Sequence, residues 1–447
     1  MTSRVIRSRS WAAGCVCVAT ALLAVACGGS SSGTNTASAQ GITATTVTIG
    51  STQPLTGPAA AGYSEIAPAS NAYFQYVNAH GGVFGRHINY TYLDDGYNPT
   101  NTASQTRKLV LQDKVYAMFS ALGTPTHLAV VDYLNSERVP DLLVSSGCNC
   151  WNNVAQHPYT FGFQPDYTIE GKILGKYVAQ AYSGMKVGYL AQGPGDEFGD
   201  DGITGLNDEL QNSSVSVVSP PQYYAPTAAG AMAIGAEMAK MQAAGVQVVV
   251  CFSIPLFTAA ALASSAAINY HPIFVVSNVG SDPTTLTGIL TGGSLGATLP
   301  AALISGIVTD TYLPSTGDAA NAWITLFKSI KGQYAASLPW DGNVLYGFAQ
   351  AYTFVQALRA AGQNPSQLDI VHALENSHFN DGPGLVPFGY SSRNHLGYTG
   401  VQVVKTNADG TQPALGPIYT SDDSSTGAIN TYSAAPTVPP SNGIPSD

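Results

Sequence analysis

Short β-branched segments alternate with longer segments of helical period along most of the chain. This alternation limits the fold more than any other feature. Residues 46–50, 87–93, 115–120 and 141–145 read as strands. Between them, residues 64–79 place Ile66, Tyr73, Phe74 and Val77 on one helical stripe, and 101–112 read as a second helix. Thr124-Pro125 opens another helix to about Ser136, with Thr124 as N-cap and proline at the first helical position. A second series follows, with helices at 167–182, 201–212, 228–244 and 256–269. Its strands fall at 186–190, 215–218, 246–252 and 272–277. Beyond it the pattern predicts strand 304–309, helices near 319–332, 343–361 and 365–376, and strand 400–404. Strands that alternate with helices build parallel sheets covered on both faces. Two such series predict an α/β chain of two doubly wound, Rossmann-like lobes, and 447 residues suffice for them.

The N-terminus reads as an address. Arg4, Arg7 and Arg9 precede an apolar stretch, 11–26, that ends in Ala24-Val25-Ala26 before Cys27. A basic start, an apolar middle and small residues before a cut describe a secretory signal. Cys27 at the cut resembles a bacterial lipobox, with Ala24 where leucine is commonest. Residues 1–26 are therefore expected to be a lipoprotein signal peptide and Cys27 the lipidated residue, which anchors the protein to the outer face of the cell membrane. Ordinary cleavage after Ala26 is the alternative. Residues 27–45 read as a flexible tether and 412–447, with Pro436, Pro439, Pro440 and Pro445, as a disordered tail.

Composition narrows function. Lys+Arg 17 against Asp+Glu 27 gives a net charge of −10, which argues against nucleic-acid binding. No apolar run after the N-terminus reaches the ~20 residues of a membrane span.

Several segments together resemble the leucine/isoleucine/valine-binding branch of the type I periplasmic-binding-protein family. They are Ile49-Gly50 with Pro54-Leu55-Thr56-Gly57, the run Val77 to Arg86 through Gly81-Gly82, and Asp94-Asp95 with Asn98-Pro99 and Leu109-Val110. Val139-Pro140, Pro165-Asp166, Glu170-Gly171 and Phe198-Gly199 complete the set. The resemblance covers about residues 46–410. It implies a clamshell in which a three-crossing hinge joins lobe one (46–165 plus 312–393) to lobe two (166–311 plus 394–411). It also implies a non-enzymatic, monomeric binding protein without cofactor. Such a protein takes one small ligand, amino-acid-like or a carboxylate or amide, and delivers it to an ABC permease. A ligand-sensing receptor that signals to a membrane partner is the alternative.

Ligands in open α/β sheets sit beyond the carboxyl ends of strands. By position, the resemblance assigns Thr124, Ser145, Ser146 and Gly147 to the ligand from lobe one, with Tyr63 as a cleft aromatic. From lobe two it assigns Phe198, Ser253, Asn278 and Asp282. Thr124 reads equally as a cap, Ser145–Gly147 as a plain turn, Phe198 as core and Asp282 as the start of an Asp-Pro turn. Amino-acid binders place an acid near Asn278; the nearest here is Asp282, a departure that counts against an α-amino acid and leaves a carboxylate without amine or a neutral amide.

Cys148-Asn149-Cys150-Trp151 follows the Ser145–Gly147 turn. A Cys148–Cys150 bridge, free thiols and a metal pair are all open, although no His or Cys pair nearby completes a tetrahedral metal set. No nucleophile–base pair supports an enzyme.

Overall fold

The computed structural model describes residues 34–376, 379 and 382–446. The segment expected to be a signal peptide, 1–26, and Cys27 lie outside these residues. Sheet one is built from β1 (Thr46–Gln53), β2 (His87–Asp94), β3 (Ala117–Phe119), β4 (Asp141–Val144) and β5 (Thr160–Gly162). Its order is β2-β1-β3-β4-β5, and every pair is parallel. The apolar side chains of β1, β3, β4 and β5 are buried on both faces, as an α/β sheet covered by helices requires, while edge strand β2 buries Ile88 and leaves Tyr90, Tyr92 and Leu93 half-buried.

Sheet two contains β6 (Lys186–Gln192), β7 (Ser216–Val217), β8 (Gln222–Tyr224), β9 (Val248–Phe252), β10 (Ile273–Val276), β11 (Val308–Thr311), β12 (Gly400–Lys405), β13 (Ala414–Thr420) and β14 (Asn430–Tyr432). Its order runs β14-β13-β12-β11-β10-β9-β6-β7, with β8 also on β6. The stretch β7-β6-β9-β10-β11 is parallel and repeats the winding of sheet one. Strands β12 to β14 add on antiparallel. The chain passes between the sheets after β5, after β11 and before β12. Aromatic rings fill this hinge: Phe163 packs on Tyr346, Phe388 and Tyr398, and Tyr312 packs on Tyr398.

Helix Gly342–Ala360 is apolar on nearly every side and buried along most of its length. It packs between helix Ile66–Ala79 and β4, so its N-terminal residues reach the space between the lobes.

Several expectations are corrected. The helix expected from Thr124 to Ser136 is two short helices, Thr124–Leu128 and Val131–Ser136. Its N-cap is Gly123, at φ 106°, where a side chain is disfavoured. Thr124 is therefore no cap, and its hydroxyl is free for Ser146 (2.7 Å). The strand expected at 304–309 starts later, at Val308, because Gly306 turns the chain at φ +92° after a 3₁₀ turn over Ala301–Ile304. Helix Pro283–Thr291, unanticipated, is capped by Asp282 through Thr285 N–H.

The segments read as tether and tail are ordered where the structure describes them. Ile42 is buried, and the guanidinium of Arg86 donates to Asn35 Oδ1 (3.1 Å), Thr36 O (2.9 Å) and Thr43 O (2.6 Å). At the other end, β13 and β14 extend sheet two. The chain then crosses to lobe one, where Thr437 O accepts from Trp323 Nε1 (3.1 Å) and Gly443 O from Tyr73 Oη (2.8 Å). Composition hid this because the tail holds itself by backbone pairing and carbonyl acceptors, which leave no apolar periodicity. Residues 412–446 thus form a strap that joins both lobes. Truncation after Thr420 removes β14, these hydrogen bonds at ~1 kcal/mol each and the burial of Ile444. The melting temperature is expected to fall by several degrees in a thermal scan. Unchanged melting would mean that the strap contributes nothing.

Candidate functional site: the cleft between the lobes

The carboxyl ends of the parallel strands from both sheets face one another. Between them lies a cavity of about 160 Å³. That matches an engineered protein cavity of about 150 Å³ that takes up benzene, so the site suits a small molecule.

Lobe one supplies hydroxyls. Ser145, just past β4, is held from behind by Ser120 Oγ (2.9 Å) and Gln350 Nε2 (3.0 Å). Gln350 also donates to Leu143 O (2.8 Å), so this buried network fixes the turn. Thr124 lines the wall beside Ser145. Tyr63, Tyr97, Tyr167, Tyr312 and Tyr346 add phenols, with Phe198, Leu122 and Ile254 as apolar wall. Burial holds the five phenols protonated, far above their ordinary range, so each keeps an O–H to donate.

Lobe two supplies acids. Asp310, at the end of β11, lines the cavity and is 3% exposed. Behind it lies Glu170, at 0%. Asn278 bridges them: its Nδ2 donates to Glu170 Oε1 (2.8 Å) and Asp310 Oδ2 (3.0 Å). Burial, then the charge of Asp310, raises the Glu170 carboxyl well above its usual range. Burial raises Asp310 to about 6, while hydrogen bonds from Glu170 and Asn278 hold it down. Burial raises both carboxyls, which favours one shared proton, and so one charge, on the pair rather than two. No Lys, Arg or His is among the cavity-lining residues, so this charge has no counter-cation in the site.

The lobes touch across the cavity. Tyr63 Oη donates to Val279 O (2.8 Å), Gly342 N–H to Asp282 Oδ2 (2.9 Å), Asn343 Nδ2 to Thr285 Oγ1 (3.0 Å), and Asn149 N–H to Asp201 Oδ2 (3.0 Å). The clamshell is closed.

Thr124, Ser145, Tyr63, Phe198, Asn278 and Asp282, all expected at the ligand, line the cavity. Three others are not on its wall. Ser146 sits behind Thr124, Gly147 accepts from Tyr167 N–H (2.7 Å), and Ser253 is turned into lobe two against Thr258 (2.7 Å). Asp282 spends both oxygens on Thr285 and Gly342. Sequence reasoning missed Tyr97, Gln164, Tyr167, Asp310, Tyr312 and Tyr346. Asp310 was within reach, because it stands one residue beyond the expected strand end.

Cys148 and Cys150 are joined by a disulfide, and Cys251 is buried and free. Among the described residues no group of three His, Cys, Asp or Glu could hold a metal ion, and no helix is long and apolar enough to cross a membrane.

A family model described as periplasmic binding protein matches residues 46–411. The chain belongs to the type I periplasmic binding protein family. Solved structures agree in fold. A substrate-binding periplasmic protein from Ralstonia solanacearum is 20% identical, with TM-score 0.72, and covers 82% of this chain and 99% of its own. A branched-chain amino acid ABC transporter protein from Thermus thermophilus with bound valine is 20% identical, with TM-score 0.70, over 85% and 97%. A solute-binding protein of an ABC transporter from Rhodopseudomonas palustris BisB5, in complex with 3,4-dihydroxy benzoic acid, is 17% identical, with TM-score 0.66, over 82% and 95%. No curated protein matches the sequence. As a periplasmic binding protein, the chain has a family precedent for ligand binding between lobes, and the match ends just before the strap.

Proposed function

We propose that this protein is the extracellular solute-binding component of an ABC importer, and that its ligand is a small α-amino acid or close analogue with an apolar side chain. The observation that carries the ligand class is Asp310, buried on the cavity wall with Oδ1 unpartnered and no cation among the described lining residues. A buried acid with no counter-cation favours a ligand that brings an ammonium group. Thr124 and Ser145 offer hydroxyls to the carboxylate at the opposite wall. The tyrosine rings, Phe198 and Ile254 take the apolar part. This reading moves the acid from Asp282, the nearest one in the sequence, to Asp310 on β11, which accepts from Asn278 Nδ2.

Binding holds the lobes closed, a shift within an open–closed equilibrium. The closed monomer then presents both lobes to a membrane permease, tethered through lipid on Cys27. A fold relative from Thermus thermophilus solved with bound valine supports this reading.

The Thr124→Val variant tests the carboxylate end. It removes the hydroxyl and keeps the shape, and is expected to weaken amino-acid binding about tenfold in calorimetry, the worth of one hydrogen bond to a charged group. Unchanged affinity would remove Thr124 from the ligand.

A further inference from the structure

Sheet two carries a second cavity at its other end, where β10 and β11 begin. It measures about 490 Å³, roomier than the closed cleft. Its walls are the C-terminal part of helix Pro255–Ala267, the loop into β10, the 3₁₀ turn before β11 and the end of β12. Leu262, Phe274, Leu303 and Ile307 supply its apolar part, and Ser265, Ser305, His271 and Lys405 its polar part. Ser265 lines it at 2% exposure, and its Oγ has no hydrogen-bond partner. An orphaned buried hydroxyl is costly.

Charge defines the ligand. The lining includes Lys405 and His271 and no acid, in a chain of net charge −10. Lys405 is exposed, and its ammonium has no partner among the described residues. His271 is tied to Asn269 Oδ1 (3.0 Å). The cleft, by contrast, has acids and no cation.

We infer that this groove is a second binding site, for an amphipathic monocarboxylate. The carboxylate would pair with Lys405 at the mouth. The apolar body would lie along Leu262, Phe274 and Ile307. The site is independent of the amino-acid cleft, so the two readings fail separately.

Calorimetric titration of the protein with sodium decanoate, below its micelle concentration, tests this. One saturable site is expected. Affinity should rise about fourfold per methylene from octanoate to decanoate, the worth of a buried CH₂. Lys405→Glu should weaken decanoate at least tenfold. Ala266→Trp, which fills the groove, should abolish binding. Asp310→Asn in the cleft should leave it intact. Thermal scans establish that each variant folds, and Lys405→Glu, on an exposed side chain, decides alone if Ala266→Trp does not fold. No binding of decanoate overturns the proposal. So does binding untouched by Lys405→Glu, or lost in Asp310→Asn, which would place the acid in the cleft.

Discussion

Asp310→Asn is expected to weaken binding of an α-amino acid at least a hundredfold and to raise the melting temperature. The two effects share one cause. Asp310 is buried against Asn278 and Glu170, its Oδ1 has no partner, and no cation is among the described residues that line the cavity. Removing one member of a buried charge pair costs about 2–5 kcal/mol of binding when the ligand brings the other charge. In the unliganded protein the same charge is a burden, and a neutral amide of equal shape relieves it. Calorimetry and a thermal scan on one sample measure both. Unchanged affinity would mean that the ligand has no ammonium group at this acid. Lower stability without ligand would mean that the charge is compensated by a group outside the cavity wall.

The second large effect is on pH. Asp166 is raised to about 8 by burial, then by Asp201 and Asp423 nearby. Its Oδ1 caps helix Tyr167–Ala181 while Oδ2 has no partner. Burial, against a hydrogen bond from Asn149, raises Asp201 to about 7. Burial, with Asp282 and Glu65 alongside, raises Asp341 to about 9. Each carboxyl has a folded value above its unfolded value of about 3.9. The folded chain therefore holds more protons between about pH 4 and pH 9, and stability falls as pH rises through that window. The loss between pH 5 and pH 8.5 is on the order of a few kcal/mol. The melting temperature should be highest near pH 5. Ligand affinity should move the other way, strengthening as Asp310 ionises around pH 6. Melting that rises toward pH 8.5 would show that these acids are ionised and paired in the folded protein.

Much of the fold was legible in the sequence, because buried parallel strands read as β-branched runs and their helices carry stripes and caps. His87–Asp94 and Tyr167–Ala181 fall within a residue of their expected bounds. The failures share a cause. Strand β5 is three residues long, and β13 and β14 rely on a partner's backbone, so neither has a periodic signature. The site was legible where it follows strand ends, as at Thr124, Ser145 and Asn278. It was not legible where packing brings in distant residues. Tyr346 reaches the cavity only because helix Gly342–Ala360 threads beside β4. Glu170 matters only because it lies behind Asp310, 140 positions along the chain. The resemblance supplied the positions to compare; it pointed to Asp282 in the turn after β10, while Asp310, which also lines the cavity, comes to Asn278 from β11.

Thermal unfolding of the protein against three matched ligands tests the central claim most directly: valine, isovalerate, which lacks the amine, and isobutylamine, which lacks the carboxylate. A ligand at about 100 times its dissociation constant stabilises by about 2.7 kcal/mol, which is visible as a shift in melting. The expected result is a clear shift with valine, or with a neighbouring apolar amino acid tried alongside it, and none with the two half-ligands. A shift with isovalerate alone, or with no amino acid in the set, would contradict a cleft built for an ammonium at Asp310 and a carboxylate at Thr124 and Ser145.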